Sequence, residues 1–142
     1  MSIIAAIKTY ILTYTGLETG APVWVNHLNE NPINYAIIPL AGTRKVSQNI
    51  HGNSGEREYI FAFQSAQSTA DELERLESSG FFEALADWMD TQSESDVLPV
   101  LPSGQEPYAI EVLGFAYLYE QGQSDTGIYQ VQCRFQYYQE KP

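Results

Sequence analysis

The chain has 142 residues, 44% of them hydrophobic, which predicts a single domain over residues 1–142 with a core of its own. Its formal net charge of −11, from 18 acidic and 7 basic side chains, argues against binding to nucleic-acid phosphates or anionic membranes. The apolar N-terminus lacks a basic flank and is interrupted at Lys8, so neither a signal peptide nor a membrane span is predicted.

The N-terminal segment has the spacing of an amphipathic helix. Apolar residues recur at helical steps at Ile3, Ile4, Ile7, Ile11 and Tyr14. Ser2 is placed to cap this helix and Gly16 to end it.

Four strands are predicted to follow the N-terminal helix. Their bounds are residues 23–28, 33–40, 43–50 and 58–65. An Asn-Pro pair at residues 31–32 marks the turn between the first two strands. In the fourth strand Tyr59, Phe61 and Phe63 alternate with their neighbours, which predicts one strongly aromatic face.

The next segment carries the clearest helix signal in the chain. Thr69 and Glu72 form a capping box. An apolar stripe follows at helical spacing through Leu73, Leu76, Phe82, Leu85, Trp88 and Met89. Gly80 interrupts the stripe and is expected to kink the helix or to divide it into two short ones.

The last third of the chain reads as two long strands after a proline-rich connector at residues 98–102. The strands are predicted at 108–119 and 128–139, joined by a hairpin loop at 121–127. In the second strand an apolar face of Val131, Cys133, Phe135 and Tyr137 alternates with a wet face of Gln130, Gln132, Arg134 and Gln136. The order of elements predicts an α+β fold, with a mainly antiparallel sheet on which an N-terminal and a central helix pack.

The sequence offers little for catalysis, cofactor binding or metal binding. Neither His27 nor His51 has a nucleophile placed near it, and no Cys or His pair has zinc-ligand spacing. Cys133 alternates with apolar residues, which favours a buried thiol over a reactive one. The Gly-rich residues 52–55 lack the lysine of a phosphate-binding loop. We therefore predict no catalytic residue, no cofactor and no metal.

One acidic and one basic feature remain. Glu83, Asp87 and Asp90 would form an edge of the central helix, which suits a cation or a basic partner, although a solvated helix face explains it more simply. Three of the seven basic residues, Arg44, Lys45 and Arg57, flank the loop and strand around residues 43–57. If this hairpin projects from the acidic body, it would offer a basic surface suited to an acidic protein partner. Charges that protect an edge strand are the alternative. The predicted partner-contact residues are Arg44, Lys45, Ile50, His51 and Arg57.

The order of landmarks along the chain resembles a known family. The landmarks are the N-terminal helix, Asn26-His27-Leu28, Asn34-Tyr35-Ala36-Ile37 with Pro39, residues 58–63, the helix from Phe81-Phe82-Glu83 to Trp88, Leu98-Pro99-Val100-Leu101, and Tyr129-Gln130-Val131-Gln132-Cys133. In this order, over nearly its whole length, the chain resembles small phage minor capsid or tail-completion proteins, which are similar to the tail terminators of long-tailed phages.

The resemblance implies an α+β subunit that closes into a ring, commonly a hexamer, on the last ring of tail-tube subunits. Such a ring ends tube growth at the head-proximal end of the tail, after assembly in the host cytoplasm. The implied partners are other copies of the chain, the tail-tube protein, the sheath and the head connector. The resemblance brings no catalytic residue with it.

Composition is compatible with this resemblance. An acidic chain with few cations would let DNA slide through a ring, and 10 Tyr with 6 Phe supply aromatic side chains for interfaces. Two alternatives stay open. The subunit could cap the tail of a headless, phage-derived bacteriocin, or it could be a small soluble binding module, such as an assembly chaperone or host-factor inhibitor, that never enters a particle.

Overall fold

The described part of the chain contains two helices and six strands. A computed structural model describes residues 2–17, 22–25, 34–41, 55–68, 72–121 and 126–140. The elements are, in chain order, α1 (Ile3–Ile11), β1 (Val23–Val25), β2 (Asn34–Pro39), β3 (Gly55–Ser68), α2 (Glu72–Glu94), β4 (Gln105–Val112), β5 (Tyr117–Gln121) and β6 (Thr126–Gln139). The strand predicted at 43–50 lies outside the described residues.

These strands form one mixed sheet in the order β1-β2-β3-β6-β4, and β5 pairs with β6 on the same side as β4. β1 and β2 are parallel, whereas the other pairs are antiparallel. This architecture confirms the predicted α+β fold, with a mainly antiparallel sheet and N-terminal and central helices.

The centre of the sheet is the ladder between β3 and β6. Their pairing runs from Gly55↔Gln139 to Ser68↔Thr126 without a register shift. Residues directly opposite in such a ladder share a face, so Phe61 lies beside Cys133 and Phe63 beside Val131. All four are buried, which confirms the predicted apolar faces of both strands.

α2 covers this apolar face with Phe82, Leu85 and Met89, all of which are buried. Aromatic contacts join the helix to the sheet, since the ring of Phe82 lies 6.3 Å from the rings of both Phe63 and Tyr129. Full burial of such side chains stabilises the fold by about 1.5–3 kcal/mol each.

α1 begins as predicted, because the Ser2 hydroxyl accepts a hydrogen bond from the Ala5 backbone N–H at 3.2 Å. The helix ends at Ile11, earlier than the predicted stop at Gly16. The backbone N–H and the hydroxyl of Thr13 both donate to the Tyr10 carbonyl, which tightens the chain into a turn. Gly16 has a different role, because a Cβ there would collide with the Tyr14 ring.

Two predictions about the continuity of elements differ from the structure. The central helix is continuous through Gly80, which is exposed and has open space where a Cβ would stand, so the glycine requires no kink. The strand predicted at 108–119 is divided into β4 and β5 by residues 113–116. The division follows from the pairing with β6. β4 pairs with β6 as far as Val112, and pairing resumes in a shifted register at Tyr117 of β5.

The last turn of α2 closes the outer edge of β4. The Ser93 hydroxyl donates to the Ile110 carbonyl at 2.8 Å and accepts from the Ile110 N–H at 3.3 Å. Since β4 is an edge strand, these backbone groups point away from β6 and would otherwise be open to pairing. Ser93 therefore fixes the helix to the sheet and protects this edge.

We predict that Ser93→Ala lowers the free energy of unfolding by about 1–2 kcal/mol, because the Ile110 backbone groups lose their partner. Ser95→Ala, at an exposed position just beyond the helix, is the matched control and should stay within about 0.5 kcal/mol of the wild type. Urea unfolding followed by circular dichroism measures both. Equal stability of the two variants would contradict the role of Ser93.

Candidate functional site

A cleft of about 260 Å³ lies between α2 and residues 113–116, the segment that joins β4 to β5. Phe82, Ala86, Ala116 and Val131 supply its apolar lining, and Glu83, Asp87 and Phe115 also line it. Both carboxylate side chains are exposed, while Phe82 and Val131 are buried. The cleft thus combines an apolar floor with an acidic rim.

The cleft exists because the chain between β4 and β5 is longer than the stretch of β6 opposite it. Val112 pairs with Cys133 and Tyr117 with Gln130, so four residues (113–116) stand opposite two. The surplus residues bulge outward. Gly114, with φ at 156°, lies within this bulge in a region that favours glycine.

The bulge and the strand that follows it expose four large apolar side chains along this side of the sheet, which together we call the edge patch: Leu113, Phe115, Tyr117 and Tyr119. The side chain of Phe115 is 87% exposed, and the other three are between 42% and 56% exposed. A run of exposed apolar side chains on a sheet edge is typical of protein interaction surfaces. An exposed Phe side chain is unfavourable in water and would be stabilised by burial against a partner. This patch is therefore the strongest candidate for a contact with another protein.

A hydrogen-bonded chain of polar side chains holds the patch to the sheet. The Gln64 amide donates to the Gln130 side-chain oxygen at 2.7 Å, and the Gln130 amide donates to the Tyr117 hydroxyl at 2.6 Å. Gln130 is 5% exposed, so its predicted place on a wet face is corrected: the neighbours Gln64 and Tyr117 cover it. These two hydrogen bonds link β3, β6 and β5 and so orient Tyr117 at the edge of the sheet.

Of the five predicted partner-contact residues, the structure describes one, Arg57. Arg44, Lys45, Ile50 and His51 lie outside the described residues, and their contact role stays a prediction. Arg57 is within β3, and its side chain is 2% exposed. The strand begins at Gly55, earlier than predicted, and its alternation carries Arg57 to the face of Tyr59 and Phe61. Arg57 is therefore buried in the subunit and does not extend the basic surface expected around Arg44 and Lys45.

The predicted acidic edge of α2 is exposed at all three positions. Glu83 and Asp87 line the cleft, whereas Asp90 does not. Sequence reasoning did not find Phe115, because residues 108–119 were read as one continuous strand. The available signal was Gly114, since a glycine within a strand pattern often marks a bulge.

Few of the described residues suggest chemistry. Among them, no group of three His, Cys, Asp or Glu side chains could hold a metal ion. Both histidines lie outside the described residues. Cys133 is fully buried, and burial raises the pKa of its thiol well above the ordinary value. In the described part of the chain, no helix is both long and apolar enough to span a membrane.

We predict that Cys133 in the native protein does not react with a thiol reagent at pH 8, because the thiolate form is suppressed and the sulfur is inaccessible. Reaction with Ellman's reagent should be complete once the protein is unfolded in urea. Rapid reaction of the native protein would show that the β6 core opens readily.

The same burial predicts a pH dependence of stability. The folded pKa of Cys133 is raised, so its contribution to stability is fully present below the unfolded pKa of about 8.5 and is lost as the pH rises above it. The free energy of unfolding should fall between about pH 8.5 and 10, and Cys133→Ala should fall less steeply over that interval. Parallel slopes for the two proteins would contradict this assignment.

No protein-family model and no curated protein matches this chain.

Proposed function

We propose that the chain is a non-enzymatic structural subunit that assembles with copies of itself into a ring and caps the tail tube of a phage or of a phage tail-like bacteriocin. The ring ends tube polymerisation and provides the joining surface for the head. The observation that carries the proposal is the edge patch, where Phe115 is 87% exposed on a sheet edge.

The two ends of the sheet are unlike, which favours a ring over a two-fold dimer. Among the described strands, one edge of the sheet carries the edge patch on and before β5, and the opposite edge is β1, where Trp24 and Val25 are partly exposed. A contact between two different surfaces of the same subunit is heterologous, and it closes into a ring when the rotation between neighbours permits. The edge patch and the β1 edge supply two such surfaces.

The charge of the subunit supports a ring through which DNA passes. The net charge is −11, and two of the seven cations have little access to a ligand, since Arg57 is buried and Arg134 forms a salt bridge with Glu111. Binding to a phosphate backbone needs accessible Lys and Arg side chains, so this surface would repel DNA and not retain it. A subunit that caps a headless particle would not need a surface that lets DNA pass.

A second function is favoured by the cleft. An apolar floor with an acidic rim can receive a side chain of a partner protein without any ring, as a small assembly chaperone or host-factor inhibitor would do. Mass spectrometry of purified particles separates the two proposals, because a terminator remains in the particle and a chaperone does not.

We predict that Phe115→Asp weakens self-association by about tenfold or more, since a central aromatic contact is replaced by a charge. Val100→Asp is the matched control. Val100 is 77% exposed on the connector before β4, and its substitution by Asp adds the same charge. Light scattering across a concentration series, with negative-stain imaging in the presence of tail tubes, measures assembly. If both variants form rings as the wild type does, the edge patch is not the interface; if the wild type neither forms rings nor binds tubes, the proposed function is wrong.

A further inference from the structure

We infer that the acidic-rimmed cleft between α2 and residues 113–116 receives the Arg44-Lys45 segment of a neighbouring copy of the chain. This inference rests on the proposed self-assembly and names the segment that each subunit inserts into the next.

The size of the cleft argues for a side chain as its occupant. Its volume of about 260 Å³ lies below the roughly 300–1,000 Å³ that is typical of small-molecule and cofactor sites. Phe82, Val131 and Ala116 give it an apolar floor, which one aliphatic side chain can cover. In the sequence, Val46 directly follows the basic pair and provides such a side chain.

The rim argues for a cationic segment. Glu83 and Asp87 are four residues apart on α2, so their side chains are neighbours on one face of the helix. Both are exposed, and neither has a salt-bridge partner among the described residues. Two adjacent carboxylates beside an apolar floor would attract a cationic segment of a partner.

The chain itself contains a matching pair of cations. Arg44 and Lys45 are its only consecutive basic residues among the seven in the sequence. Two of the other cations are committed within the subunit, since Arg57 is buried and Arg134 pairs with Glu111. In the proposed contact this pair comes from a second copy of the chain, and because the two surfaces differ, the contact is heterologous, as ring closure requires.

Reciprocal charge reversal tests this contact. The acid-reversed variant is Glu83→Lys with Asp87→Lys, and the base-reversed variant is Arg44→Glu with Lys45→Glu. Each alone should weaken self-association by about tenfold or more, because like charges then meet at the interface. A one-to-one mixture should assemble again, since each reversed cleft meets a reversed segment, and copies of the two variants should alternate around the ring.

Matched controls separate this contact from net charge. Asp90→Lys with Glu94→Lys makes the same charge change on the same helix outside the cleft lining, and Lys8→Glu with Lys141→Glu matches the base-reversed variant. Both controls should assemble as the wild type does. Circular dichroism confirms that each variant is folded, and light scattering with native mass spectrometry gives the size and composition of the assemblies.

The outcomes distinguish the inference from the function on which it rests. Restored assembly in the mixture, with alternating copies, supports the contact. Rings that form equally well from each reversed variant alone would overturn the contact and leave the proposed ring intact. Failure of the mixture to assemble, with both variants folded and the controls forming rings, would also overturn it. A wild-type protein that neither self-associates nor binds tail tubes would overturn the proposed function itself.

Discussion

The rest of the structure depends on the uninterrupted pairing of β3 with β6. This ladder fixes which side chains face α2, because a shift of one residue would move Phe61, Phe63 and Val131 to the opposite face of the sheet. β2 adds to one side of the ladder, while β4 and β5 share the other. The helices then cover the apolar face, with Trp88 of α2 lying 4.9 Å from the ring of Tyr10 on α1. The packing of both helices therefore follows from one register.

The candidate site is a consequence of the same ladder. β6 is long enough to pair with both β4 and β5, but the chain between them has more residues than β6 offers as partners. The surplus is displaced outward and exposes Phe115 beside α2. The hydrogen bonds from Gln64 through Gln130 to Tyr117 return the chain to the sheet immediately after the bulge. A regular core thus produces an irregular, apolar edge at a defined position, which is where interaction surfaces commonly arise.

Helical and strand periodicity in the sequence predicts the α+β fold class and the apolar faces of β3 and β6 that lie toward α2. It could not predict that Gln130 is buried, because alternation assigns a face without showing what covers that face. The burial of Arg57 could not be predicted for a related reason: whether Arg57 lies within the strand depends on where β3 begins, and composition predicts a loop that extends to residue 55. The bulge at Phe115 depends on register between distant strands, which no local pattern records.

The proposed self-assembly of this acidic subunit would have to overcome repulsion between copies that each carry a net charge of −11. That repulsion is screened beyond about 8 Å at physiological ionic strength, so it opposes approach more than it opposes a formed contact. A short-range apolar contact at Phe115, combined with carboxylates that meet cations locally, is the kind of interface that remains favourable under these conditions. In the proposed ring, such an interface would be weak between free subunits. If the chain caps a tail tube as proposed, the end of the tube would act as a template that raises the local concentration of subunits, and ring closure would be most favoured there.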